Sequence, residues 1–339
     1  MEKILLWDEG EYDASRFWGF VPSVHTYIHK ECREKRPCIL VVPGGGYSTV
    51  SPTEAGIVAE AYFEKGFQVF VLTYTTDMLM KEALKLQPLK DISRAVRYIR
   101  CHADDFHIDA NHLAVCGFSA GSHLCESLCV HYKDIEDKRY ESYSNKPNAA
   151  ILSYPLVTAR EGEQYDCFRI LLGKNIYKEL TAEFTGIPGA GTGAEALEYM
   201  RIEKQITEDM VPCFIWQTRD DEVVHIENSM LLVQALQTHQ IPYAYHIFSH
   251  GQHGLSLANE RWASGDFGDP YTLDQPMRVV QAVKDGTYVL TEEEKVGYGY
   301  FMEFLEGNPE MEPPKENKEC TAWLDMSVDW LNTIEGIEK

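Results

Sequence analysis

Long apolar runs are missing from this chain of 339 residues. None approaches the roughly 20 residues that a spanning helix needs, so no spanning helix is expected. The N-terminus, Met1-Glu2-Lys3-Ile4-Leu5-Leu6-Trp7-Asp8, lacks a secretory leader's long apolar centre and meets acids at once. Positive charge is also scarce. Lys and Arg number 31 against 53 Asp and Glu, a formal net charge of −22. Such a surface repels phosphate backbones and anionic lipid, which argues against nucleic-acid and membrane partners. The nine cysteines are odd in number, scattered, and without C-x-x-C spacing. They read as reduced thiols of a cytoplasmic protein, with neither a disulfide framework nor a zinc site. Cys125 and Cys129, four apart on an expected helix, read as small core residues. There is no internal repeat, no Gly-Lys-Ser/Thr phosphate loop and no G-x-G-x-x-G spacing.

What is present is a strand–helix alternation. Apolar residues make up 44% of the chain, ample for a large core. Ile39 to Val42 is a short buried-type run ending at Pro43-Gly44-Gly45-Gly46. Helical spacing follows over about 54–65, closed by Gly66. Further strands are predicted over 67–74, 113–116, 149–153, 213–217 and 243–248. Helices are predicted from about 89, over 120–132 and over 228–238. This order implies one α/β domain over 1–339, with a doubly wound, mainly parallel sheet and helices on both faces. Two stretches are too long for plain connections, about 155–210 and about 259–320. They read as a cap insertion and a second long insertion. The aromatics of the second (Tyr271, Tyr288, Tyr298, Tyr300, Phe301, Phe304) suit a homo-oligomer contact, a sugar platform or a small satellite core.

Reactive groups in such sheets sit at the carboxyl ends of strands. Gly117-Phe118-Ser119-Ala120-Gly121 follows the 113–116 strand and opens a helix, the context a nucleophile elbow requires. A serine hydroxyl is weak at neutral pH and needs a base beside it. A developing oxyanion needs fixed N–H donors. Ala120 supplies one at a helix N-terminus. The glycine loop supplies the other, from Gly45 first and Gly46 second. Base and acid should follow in the order Ser, Asp, His. Asp220 and Asp221 follow the 213–217 strand. Of twelve histidines, His253 follows the last strand between Gly251-Gln252 and Gly254, with His250 its nearest competitor. His123, on the elbow helix, reads as a packing residue. This chemistry needs no metal and no cofactor.

The chain resembles bacterial esterases of the α/β-hydrolase superfamily described as acetyl-xylan-esterase-like or as carbohydrate esterases. The resemblance runs over roughly 20–258 and resumes near 323–331. Val42-Pro43-Gly44-Gly45-Gly46-Tyr47, Asp91 to Arg100, Val115 to Leu124, Asp221 to Ser229 and His253 to Ala258 carry it. It implies Asp221 rather than Asp220 as the acid, from an Asp-x-x-Val-Pro pattern, and His253 from His-Gly-Leu. His225 replaces the pattern's proline, Gln217 lies near a position often held by His or Gly, and 259–320 exceeds the family's usual connection. The resemblance further implies hydrolysis of acetyl or other short acyl esters, including those of xylo-oligosaccharides. An arylformamidase, a small serine peptidase or a non-catalytic binding protein on the same scaffold are the competing readings.

Overall fold

The β-branched and apolar runs fall where strands form because the central strands are buried on both faces. Residue Arg36–Val42 (β3) sends Cys38, Leu40 and Val42 into one hydrophobic core and Ile39 and Val41 into the other. Gln68–Thr73 (β4) does the same with Phe70 and Leu72 against Val69 and Val71. This period of two is what makes such strands read as continuous apolar runs. The computed structural model describes residues 1–31, 34–160, 165–307 and 314–334.

Eight strands form one sheet: Lys3–Leu5 (β1), Ser23–Tyr27 (β2), β3, β4, Ile108–Phe118 (β5), Ala149–Ser153 (β6), Cys213–Thr218 (β7) and Tyr243–Phe248 (β8). Their spatial order is β1-β2-β4-β3-β5-β6-β7-β8. β2 is antiparallel to both β1 and β4, and the remaining neighbours are parallel. The doubly wound, mainly parallel sheet expected from the alternation is therefore present.

The helices are Gly56–Glu64 (α1), Gln87–Cys101 (α2), Ala120–His131 (α3), Tyr165–Leu172 (α4), Gly193–Tyr199 (α5), Ile202–Gln205 (α6), Glu227–Thr238 (α7), Glu260–Ala263 (α8), Asp274–Lys284 (α9), Glu294–Glu306 (α10) and Trp323–Ile334 (α11). Leu89, Leu124 and Leu232 bring α2, α3 and α7 onto one sheet face; Val58 and Trp323 bring α1 and α11 onto the other. Cys125 and Cys129 lie in the first of these cores.

Some boundaries differ from expectation. The helix expected over 54–65 is interrupted at Ala55: a short 3-10 turn, Pro52–Glu54, precedes α1. α2 opens two residues earlier than expected, with Pro88 in its first turn, where a missing N–H costs nothing. The stretch 155–210 carries α4 to α6, and 259–320 carries α8 to α10. Within them, 161–164 and 308–313 lie outside the described residues. A third, small core gathers Met78, Leu79, Leu273, Val279, Val280 and Phe301, with Tyr288 and Tyr298 packed against it. No helix among the described residues is long and apolar enough to cross a membrane.

Candidate active site

β5 delivers Ser119 on a turn that only a crowded strand–helix junction could hold. Its backbone sits at φ 52°, ψ −121°, a left-handed conformation unusual for serine. The flanking glycines are required by contact. A Cβ on Gly121 would lie 2.1 Å from the Val42 carbonyl oxygen, and one on Gly117 would lie 2.6 Å from that of Gly121. α3 thus starts against the sheet, and Ser119 remains half-buried and reachable.

His253 follows β8 and turns back toward this serine. Its Nε2 lies 2.9 Å from Ser119 Oγ. Its Nδ1 lies 2.7 Å from Asp221 Oδ2. A carboxylate only accepts, so Nδ1 carries the ring proton and Nε2 accepts from the serine hydroxyl. Asp221 is fully enclosed, and its Oδ1 accepts the Val223 and Val224 amides, both at 2.9 Å. Gln217, one of the departures from the pattern, donates to the Val224 carbonyl at 2.6 Å and fixes the same loop. Tyr154 stands edge-on to the imidazole, ring centres 4.9 Å apart.

The competitors sit elsewhere. His250 pairs with Asp220 at 3.0 Å, and both side chains are largely exposed. His123 is fully buried. Its Nε2 donates to the Met200 carbonyl at 3.0 Å and its Nδ1 accepts from Tyr47 at 2.8 Å. Burial holds its pKa down at about 4, so it stays neutral.

The glycine loop passes directly beside Ser119. A Cβ on Gly44 would lie 2.9 Å from the serine Cβ. Gly45 adopts φ 109°, and a Cβ there would lie 2.4 Å from the Thr49 carbonyl oxygen, so the loop path demands glycine. The Gly44 amide is taken: it donates to Glu54 Oε2 at 2.8 Å. Among the described residues no acceptor faces the Gly45 or Gly46 amide. The Ala120 amide, first in α3, has no acceptor inside its own helix.

Glu54 was not singled out from the sequence. It is buried, and its other oxygen accepts from the Tyr154 hydroxyl at 2.7 Å. That hydroxyl in turn accepts the Ser256 amide at 3.1 Å. One carboxylate therefore joins the glycine loop, the end of β6 and the loop of His253. Burial raises its pKa, against the lowering effect of the Tyr154 and Gly44 hydrogen bonds. Only its position ten residues past Gly44 hinted at this, and an acid ahead of a helix usually reads as a solvated first-turn residue.

A hydroxyl bonded to an imidazole, itself bonded to an enclosed carboxylate beside open amides, can carry out acyl transfer. Known proteins bear on this. Residues 24–236 match the BD-FAE family. The chain belongs to the BD-FAE family. An endo-1,4-beta-xylanase B of Butyrivibrio fibrisolvens is 42% identical over 280 residues, covering 82% of this chain and 41% of that protein. An acetylxylan esterase of Xylanibacter ruminicola is 31% identical over 144 residues, covering 42% of this chain and 27% of its own length. The chain thus spans less than half the length of these relatives. Among solved structures, an acetyl ester-xyloside bifunctional hydrolase of Caldicellulosiruptor lactoaceticus superposes with a TM-score of 0.65 at 28% identity, covering 83% of this chain and 96% of that one. An α/β hydrolase from a deep-sea metagenome library, at 22% identity and TM-score 0.60, shares the fold over 99% of this BD-FAE chain. The resemblance to acetyl-xylan-esterase-like α/β hydrolases, and the fold it implied, are borne out.

Proposed function

We propose that this BD-FAE protein is a serine ester hydrolase that removes short acyl groups, acetyl above all, from sugars such as xylo-oligosaccharides. The hydrogen-bonded chain Ser119–His253–Asp221 carries the reading. His253 Nε2 takes the Ser119 proton as Oγ bonds to the ester carbonyl carbon, and the carbonyl electron pair moves onto oxygen. The Ala120 and Gly45 amides hold that oxyanion, with Gly46 the alternative donor. Asp221 fixes the imidazole tautomer and balances the imidazolium. Collapse breaks the bond to the alcohol, which leaves with the proton from His253. Water then repeats the cycle on the acyl-enzyme and releases the acid. The acetyl and sugar specificity is supported by what the Xylanibacter and Caldicellulosiruptor relatives are described as acting on.

Ser119→Ala is the test. Hydrolysis of p-nitrophenyl acetate should fall by roughly 10⁴-fold or more. A fluorophosphonate should label the parent at Ser119 and leave the variant unmarked. Parent-level turnover by the variant overturns the mechanism. A parent that cleaves formyl amides or peptides in preference to acetyl esters overturns the substrate class.

A further inference from the structure

The geometry points to a groove between α10 and the glycine loop that holds the sugar portion of a neutral oligosaccharide ester, with Tyr300 and Phe304 as its aromatic floor. This rests on the esterase reading above and names the alcohol side of its substrate.

A cavity of about 390 Å³ opens beside the glycine loop, walled by Gly45, Gly46, Ser48, Thr49, Tyr300 and Phe304 among others. Its volume suits a small organic ligand. A second cavity of about 220 Å³ extends it along α10 toward Lys174 and Glu293. Met78, Met80, Asp166, Gly297 and Tyr300 border both, so the two form one groove. Its near end is the loop that touches Ser119. A substrate with its acyl group on Ser119 and its alcohol in this groove would run outward along α10.

The aromatic residues of this segment separate cleanly. Phe301 is buried in the small core, and Tyr271 stacks on His25 at 3.9 Å. Tyr300 and Phe304 remain 71% and 51% exposed, one turn apart on the groove side of α10. A pyranose presents C–H bonds on its faces and hydroxyls at its rim. The rings match the faces. The Ser48, Thr49 and Ser51 hydroxyls, each with acceptor capacity, match the rim.

Charge narrows the ligand further. Asp166 pairs with Arg169 and Lys174 with Glu293, each at 2.9 Å. These four cancel, so the groove favours neither an acidic nor a basic glycan. A second copy of the chain is the rival occupant, because Val296, Tyr300 and Phe304 share one helix face. The concave, hydroxyl-bearing wall opposite favours a small ligand.

The full chain is assayed with acetylated xylotriose and with ethyl acetate, whose alcohol carries no sugar. Tyr300→Ala should raise KM for acetylated xylotriose about tenfold, the scale of a lost aromatic anchor. Its kcat/KM for ethyl acetate should stay within about twofold. Phe304→Ala should shift the same way, and Tyr300→Phe should keep the parent KM. In the Ser119→Ala background, calorimetric binding of xylotriose should weaken with Tyr300→Ala. Equal losses on both esters, no loss on either, or a halved particle mass with unchanged KM each overturn the groove. So does a parent active on ethyl acetate alone. A parent inactive on both overturns the esterase reading itself, and the groove with it.

Discussion

Two aspartate–histidine pairs stand side by side in this molecule. Asp220–His250 and Asp221–His253 join the same two loops, after β7 and after β8. Their nitrogen–oxygen distances are close, 3.0 Å and 2.7 Å. Their surroundings are opposite. The carboxylate is 42% exposed in the first pair and 1% in the second; the imidazole, 74% and 15%. Asp221 accepts two further backbone amides, and the far nitrogen of His253 meets Ser119. Asp220 accepts the Gly251 amide besides its histidine, and His250 reaches solvent. The pairing itself therefore confers no chemistry. Enclosure and a third partner separate a positioned base from a loop tie.

The sharpest way to break this contrast is to neutralise each aspartate in turn. Asp221→Asn should lower kcat/KM for p-nitrophenyl acetate by roughly 10³- to 10⁴-fold, because the amide no longer fixes the productive tautomer. Asp220→Asn should leave it within about twofold. Comparable losses in the two variants would dissolve the distinction.

Glu54 extends the contrast to a third carboxylate, enclosed like Asp221 but bonded to the glycine loop instead of the base. Glu54→Gln keeps one acceptor and reorients the amide bond of Gly44. Turnover should fall by about 10- to 100-fold with KM nearly unchanged, below the cost of deleting an oxyanion donor outright. A loss of KM alone would place Glu54 in ground-state binding. A loss of folded protein without a change in kcat would leave it a packing residue.

How far these residues were legible depends on how local their signal is. The central strands β3 to β7 announce themselves because their apolar runs are buried on both faces. The elbow is legible because glycine is forced at 117 and 121 by contact. β1 and β2 are not. β1 has three residues, and β2 is Ser-Val-His-Thr-Tyr, whose buried Ser23, His25 and Thr26 disguise a strand as a loop. Spacing alone does not separate Asp220 from Asp221, since neighbours in a loop are told apart by burial, and resemblance made that choice. Glu54 is hard to read because Tyr154, the partner of its second oxygen, lies a hundred residues further on. The small core under α10 is one of the three readings the aromatics of 259–320 leave open; only its far side, Met78 and Leu79, is illegible, because it comes from a distant part of the chain.

The Tyr154 hydroxyl is the relay between Glu54 and the His253 loop, so removing it tests whether that relay matters. Tyr154→Phe keeps the ring edge against His253 and deletes the bonds to Glu54 and the Ser256 amide. The loss in kcat should be about 3- to 10-fold, the scale of one or two neutral hydrogen bonds, and smaller than for Glu54→Gln. A larger loss than Glu54→Gln would mean that the tyrosine orients the imidazole more than the carboxylate orients the loop.

The smallest expected effect lies with the exposed pair. The His250 hydrogen bond, then the Gly251 amide, hold the Asp220 carboxyl below its usual range. A depressed carboxyl stabilises the fold above its unfolded value of about 4 and loses that contribution as pH falls through its folded value. Solvent screens a pair this open, so Asp220→Asn should cost about 0.5–1 kcal/mol in urea unfolding at pH 7 and less in high salt. The gap between parent and variant should close toward pH 3. A gap that persists there would show that the Gly251 tie, independent of charge, is what Asp220 supplies, and that the outer pair differs from the inner one in kind as well as in burial.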